Sequence, residues 1–199
     1  MSELHIRVAT PDDAAALLAI YAPYVTDTAV SFDTEAPSPE EFRRRVETTL
    51  VKYPYLAAEL DGKIVGYAYT GPFIRRAAYD WSAESTIYLE RSAHRSGWGR
   101  ALYNALGKVS LAQNIYNLNA CIAWCADNDE YLTPNSANFH AHMGFEMTGR
   151  FRKCANKFGK WYDMVWMTKQ LSTRPETAPQ VIPFPELSAE TLRACGVEV

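Results

Sequence analysis

The chain has 199 residues, enough to bury one domain-sized core with a short tail beside it. Hydrophobic residues make up 48%, charged residues 22%, and the net charge is -3; this is a soluble globular balance that speaks against a general nucleic-acid binder, which carries a basic surplus. No apolar run approaches the roughly 18 residues of a membrane span, and MSELHIRVAT holds no signal-peptide core, so the expected setting is the cytoplasm with no membrane partner.

Residues 4–9 read as a strand. A helix is predicted over 10–25: Pro11 pre-sets its entry, Asp12 and Asp13 suit its positive end, and apolar residues recur at helical spacing. Residues 30–37 read as a loop. Ser38, Pro39 and Glu41 then make a capping-box signature, which predicts a second helix to about Lys52. The stretch 55–71 reads as a hairpin turning at Asp61-Gly62. Residues 72–82 are irregular. A strand follows over 83–90, then a helix from the glycines at 97 and 99 to about Gln113, then a buried strand over 118–125. A polar loop leads into a short helix that Gly144 stops. Strands over 145–153 and 160–171 close an α/β domain of order β-α-α-β-β-β-α-β-α-β-β. From 172 the chain is proline-rich and aperiodic, so the expected organisation is a domain over 1–171 and an extension over 172–199. Phe184 and Leu187 offer that extension little anchorage; it is expected to pack on a partner subunit, lie over a pocket or stay disordered.

The run His94-Arg95-Ser96-Gly97-Trp98-Gly99-Arg100 sits between a strand and a helix. The first amides of a helix lack intrahelical partners and its dipole places positive potential there. Glycines let the backbone curl round an anion without Cβ clashes. The run has neither the Lys-Ser/Thr of a P-loop nor the three-glycine dinucleotide spacing. Cys121, Cys125, Cys154 and Cys195 lack paired metal spacing and read as core or incidental thiols, with no metal expected.

In this order of elements, the glycine run resembles the pyrophosphate motif of the GNAT superfamily of N-acetyltransferases, Gln/Arg-x-x-Gly-x-Gly/Ala, with His94 departing at the first position. The stretches VSFDTE (30–35), GPFIRRAAYDWSAESTIYL (71–89), NSANFHAHMGF (135–145) and KFGKWYDMVWM (157–167) resemble the phosphinothricin acetyltransferase branch, over about 4–171. The resemblance implies a mixed, V-shaped sheet of about seven strands with helices on both faces. It further implies a homodimer, acetyl-CoA as cosubstrate, and transfer of an acetyl group to the amine of phosphinothricin, methionine sulfoximine or a similar small amino-acid analogue.

Acetylating an amine requires that the ammonium lose a proton, that an oxyanion be stabilised and that the thiolate be able to take a proton. The resemblance assigns the general base to Glu84, at the start of a strand behind an aromatic-rich loop. It assigns a second proton handler to His140, whose imidazole in water has a pKa near 6.5. Arg76, eight residues before Glu84, matches the family's arginine for the substrate anion, with Arg75 as a second candidate. Phe32, Tyr79 and Trp81 are candidate walls of the acceptor pocket. Ile87, Tyr88 and Leu89 are expected to hold the pantetheine arm through backbone groups. The Asn expected three residues before Ser136 falls at Thr133, and an insertion DEYLT precedes Ser136, so both Thr133 and Asn135 are candidate cofactor contacts.

Three other readings compete. A GNAT enzyme for a polyamine, aminoglycoside or protein N-terminus keeps the chemistry, but the paired arginines favour an anionic acceptor. A non-catalytic acyl-CoA-binding module is opposed by Glu84 and His140 together. A nucleic-acid binder would use Arg43–Arg45, but these alternate with Glu40, Glu41 and Glu47 as on a solvated helix face.

Overall fold

The computed structural model describes residues 4–93 and 96–199. The elements are β1 (Leu4–Val8), α1 (Ala14–Thr26), α2 (Pro39–Leu50), β2 (Tyr55–Leu60), β3 (Lys63–Pro72), β4 (Ser82–Leu89), α3 (Trp98–Ala112), β5 (Asn117–Trp124), α4 (Asn135–His142), β6 (Glu146–Lys157), β7 (Lys160–Gln170) and α5 (Ala189–Ala194). Local chemistry sets many of the boundaries. Ser38 Oγ accepts a hydrogen bond from the Glu41 amide at 3.2 Å, which caps α2. Asp61 and Gly62 both adopt positive φ, 50° and 77°, as a two-residue hairpin turn requires. Gly144 takes φ 86° directly after α4.

The seven strands form one sheet in the order β1-β2-β3-β4-β5-β7-β6. Strand alternation divides its side chains between two cores. Leu56 and Ala58 join a cluster with α3, whereas Tyr55 and Ala57 join one with α1 and α2. Helices therefore cover both faces. All neighbouring strands are antiparallel except β4 and β5, which run parallel and pair only from Ser82↔Asn117 to Glu84↔Asn119. Beyond Glu84 the two strands part, and the sheet opens as a V.

Two features differ from the sequence reading. β6 runs four residues further than expected, to Lys157, and turns through Phe158 and Gly159 with φ 52° and 73°. The C-terminal extension is anchored on its own chain, although Phe184 and Leu187 were expected to give it little hold. Phe184, Leu192, Cys195 and Val197 are buried in the α3-side core of the same chain. Ser188 caps α5 by accepting from the Thr191 amide at 3.1 Å. The proline-rich stretch is tied by backbone, its carbonyls accepting from Trp81 Nε1, Asn114 Nδ2 and Gln113 Nε2 at 2.7–2.9 Å. Proline removes amide donors but leaves carbonyl acceptors, so aperiodic sequence can still be anchored.

Candidate active site

The parting of β4 from β5 leaves the β5-facing edge of β4 beyond Glu84 without a strand partner among the described residues. A cleft of about 580 Å³ opens there, lined by Ile87, Tyr88 and Leu89 of β4, Ser96, Gly97, Gly99 and Arg100 at the start of α3, and Thr133, Asn135 and Ser136 before and within α4. Nearly every described residue expected to contact the cofactor thus converges on one wall-to-wall space, both Thr133 and Asn135 included. Trp98 packs partly buried against the core and its amide donates to Ser96 Oγ at 3.3 Å. His94 and Arg95 lie outside the described residues. Phe139 and His142, one α-helical turn apart on α4, also line the cleft, as do Tyr24 and Val30.

The two glycines serve different physical needs. Gly97 precedes α3 with φ 87°, a conformation other residues rarely adopt, and an added Cβ there would meet nothing within 4 Å. Gly99 is buried, and an added Cβ would lie 3.1 Å from Leu89 Cδ1 and 3.3 Å from the Phe139 ring. Gly97 shapes the helix start, and Gly99 lets α3 approach β4 and α4.

A crevice of about 300 Å³ lies between α2 and the strands β2, β3 and β4. Its floor is aromatic, with Tyr21, Tyr55, Tyr67, Tyr69 and Tyr88, and its rim is basic, with Arg44, Arg45 and Arg75. Among the described residues, Tyr88 alone lines both spaces. Sequence reasoning found Arg75 and Tyr88 but missed the other tyrosines. Of these, Tyr67 and Tyr69 alternate along β3 and meet β4 through the Tyr67↔Tyr88 register, which only strand pairing defines.

Glu84 stands where β4 and β5 part, paired with Gly71 on one side and Asn119 on the other. It is half-buried, and burial raises its carboxyl pKa above the ordinary value. Among the described residues no hydrogen bond or ion pair holds its carboxylate in one protonation state.

His140 differs from its expected solution-like imidazole. It is 4% exposed, and burial lowers its pKa to about 4. Its Nδ1 faces the Ser136 carbonyl at 2.7 Å and its Nε2 faces the Tyr103 hydroxyl at 2.8 Å. A neutral ring therefore donates from Nδ1 and accepts from Tyr103 at Nε2. Tyr103 continues to Ser85 Oγ at 3.3 Å. His140 lines neither cavity, and the histidine that lines the cleft is His142.

The remaining acceptor-side candidates scatter. Phe32 packs on Tyr162 with ring centroids 6.4 Å apart. Arg76 is exposed, and Tyr79 lies edge-on to Phe73, outside the crevice wall. Trp81 does not reach it either: its Nε1 is engaged by the Pro179 carbonyl of the tail. Among the described residues no group of three or more His, Cys, Asp or Glu is placed to hold a metal ion, and no helix is long and apolar enough to cross a membrane.

Residues 6–166 match the acetyltransferase (GNAT) domain family. The chain belongs to the GNAT acetyltransferases. It is 36% identical over 161 residues to a phosphinothricin N-acetyltransferase of Streptomyces viridochromogenes, covering 81% of this chain and 84% of that one. A phosphinothricin N-acetyltransferase of Alcaligenes faecalis is 34% identical over 176 residues, covering 88% and 86%. Among solved structures, a GNAT phosphinothricin acetyltransferase of Sinorhizobium meliloti in complex with acetyl-CoA superposes with a TM-score of 0.79 at 28% identity, over 92% of this chain and 98% of that one. The matched residues include every residue that lines the cleft and the crevice.

Proposed function

We propose that this protein transfers the acetyl group of acetyl-CoA to the free amine of a small anionic amino acid of the phosphinothricin or methionine sulfoximine kind. The observation that carries the reading is that two cavities of different chemistry share Tyr88, with the half-buried carboxylate of Glu84 four residues earlier on β4 and in electrostatic reach of Tyr69 in the crevice. The larger cleft fits a coenzyme A thioester: the open edge of β4 offers backbone groups to its amides, and the start of α3 with Arg100 offers positive potential to its phosphates. Acetyl-CoA supplies the activated acetyl group. The crevice supplies the acceptor's place, and Arg75 is better placed than Arg76 to meet an anion there.

Glu84 takes the proton from the ammonium, directly or through water. Burial suits it to the task, because a carboxylate with a raised pKa is a stronger base. His140 keeps the Tyr103 hydroxyl oriented and acts as a positioning residue. A homodimer is part of the proposal. β6 pairs only with β7 among the described residues, and Met147, Phe151 and Trp161 are 51%, 54% and 63% exposed on these two strands. The cytoplasm, where Cys121, Cys125 and Cys154 would stay reduced, is the proposed compartment.

Release of free coenzyme A with L-phosphinothricin, L-methionine sulfoximine, spermidine and an alanyl peptide as acceptors tests the reading. Turnover of the amino-acid analogues well above the polycation is expected; preference for spermidine or the peptide overturns the acceptor class. Glu84→Gln should retain acetyl-CoA affinity and lose roughly 10²–10⁴ in kcat near neutral pH. The deficit should shrink as pH rises and the amine deprotonates in solution. A Glu84→Gln enzyme with normal kcat at pH 7 removes Glu84 as the base, and no turnover by the parent with any amine would favour a binding module.

A further inference from the structure

Three segments far apart in sequence are laced together at the open end of the V. The first is the loop after α1. Its Val30 lines the large cleft, and its Ser31 and Asp33 side chains both bond the hydroxyl of Tyr21, a crevice residue, at 2.7 Å. This loop therefore touches both cavities, lining one and bonding a wall residue of the other. The second is the inserted loop before α4. The Ala29 amide donates to the Tyr131 carbonyl at 2.9 Å, and Leu132, 2% exposed, is buried beside Ala29 and Tyr162. The third is the β6–β7 turn.

That turn grips both loops. Lys157, 5% exposed, crosses 126 residues of sequence to donate from Nζ to the Ser31 carbonyl at 2.7 Å. Lys160 Nζ and Tyr162 Oη donate to the two oxygens of Asp129, at 2.9 and 3.0 Å. Asp129 also accepts from the Tyr131 amide at 2.9 Å. Phe158, a bulky residue held at φ 52°, stacks on Tyr131 at 4.4 Å. A large side chain rarely adopts that backbone, so the conformation persists only where surrounding contacts favour it. A buried lysine is likewise rare unless its ammonium has a defined use. Burial lowers the Lys157 pKa, and the nearby Asp33 opposes that shift by favouring the cation.

We propose that Lys157 and Asp129 are positioning residues for acceptor recognition: through the Ser31 carbonyl and the inserted loop, they fix the segment at which the amine pocket meets the thioester cleft. The inference rests on the acceptor entering by the tyrosine-floored crevice. It makes the selectivity of this enzyme depend on the insertion and the hairpin tip as one unit, although Lys157, Lys160 and Asp129 line neither cavity.

The test compares Lys157→Met, Lys157→Arg and the milder, more exposed Asp129→Asn with the parent chain. Hydrogen–deuterium exchange over 28–34 and 127–133 needs no acceptor. KM is then measured separately for acetyl-CoA and for whichever of L-phosphinothricin and L-methionine sulfoximine is turned over faster. Losing a charge-assisted bond should raise the acceptor KM of Lys157→Met roughly ten- to hundredfold, with a much smaller change for acetyl-CoA. Exchange should quicken in those two segments, and Lys157→Arg, which keeps a donor, should recover most of both effects. Asp129→Asn should act in the same direction and more weakly, and it carries the test if Lys157→Met does not fold. Unchanged exchange in the two segments, or an acceptor KM that stays put or rises no more than that of acetyl-CoA, overturns the proposal. Arg75→Ala is the control for the underlying reading: an unmoved acceptor KM in that variant indicts the crevice, independently of Lys157. If neither amine is a substrate, the reading fails there, and the exchange data alone decide whether Lys157 and Asp129 hold the junction.

Discussion

A histidine in water titrates near 6.5, and His140 sits at about 4 because burial disfavours its charged form. The sign of the consequence follows from proton counting. Between these two pH values the unfolded chain carries the proton and the folded chain does not. The unfolded state therefore binds more protons, and stability falls as pH falls from 6.5 towards 4. The full penalty at the acid end is on the order of 3 kcal/mol. His140→Gln should cost stability at pH 7.5, because the ring leaves the aromatic cluster of Tyr103, Phe139 and Phe145. Its urea-unfolding free energy should then vary less with pH between 6.5 and 4.5 than that of the parent. Parallel pH profiles for the two proteins would mean that His140 is not the buried neutral group described here.

At the scale of elements, the start of α3 combines a conformational need with a packing need. Gly97→Ala places a Cβ in open space but on a left-handed backbone, at a cost of roughly 1–2 kcal/mol. Gly99→Val drives a branched side chain into Leu89 and Phe139, which separates α3 from β4 and α4. Both variants should weaken acetyl-CoA binding, Gly99→Val the more, because it moves the two walls of the cleft apart. Calorimetric titration with acetyl-CoA, alongside the thermal midpoint, separates affinity from stability. A folded Gly99→Val protein with parental affinity would disconnect this helix start from the cofactor.

At the scale of the whole molecule, the tail is part of the core. Phe184, Leu192 and Val197 are each at most 6% exposed, and burial of such side chains contributes about 1.5–3 kcal/mol apiece. The chain end also adds a bridge beside β1, where the Glu198 amide donates to the Ile6 carbonyl at 2.7 Å. Truncation after residue 171 should therefore lower the thermal midpoint by roughly 10 °C or more. No tail residue lines either cavity, so the parent's KM values should survive at temperatures where both forms are folded. Equal midpoints would mean that the tail packs too weakly to matter in solution.

Short-range chemistry determined much of this protein. The cap at Ser38, the turn at Asp61-Gly62, the stop at Gly144 and the helix start at Gly97 each depend on a few neighbouring residues, so the order of strands and helices was legible in the sequence. So was the glycine run between strand and helix, because its backbone geometry depends on local residues alone. What the sequence left open depends on contacts between distant residues. Strand register turned the alternating tyrosines of β3 and Tyr88 into a crevice floor. Helix phase buried His140 and turned His142 to the cleft, a difference of two residues that pattern alone does not rank. Trp81 was expected in the acceptor wall; the tail, 98 residues further on, supplies the carbonyl that holds it elsewhere. Lys157 reads as an ordinary turn-flanking lysine until the fold brings Ser31 to its ammonium. Burial and pairing across such separations exist only once the chain has closed on itself, and the tertiary structure alone decided them.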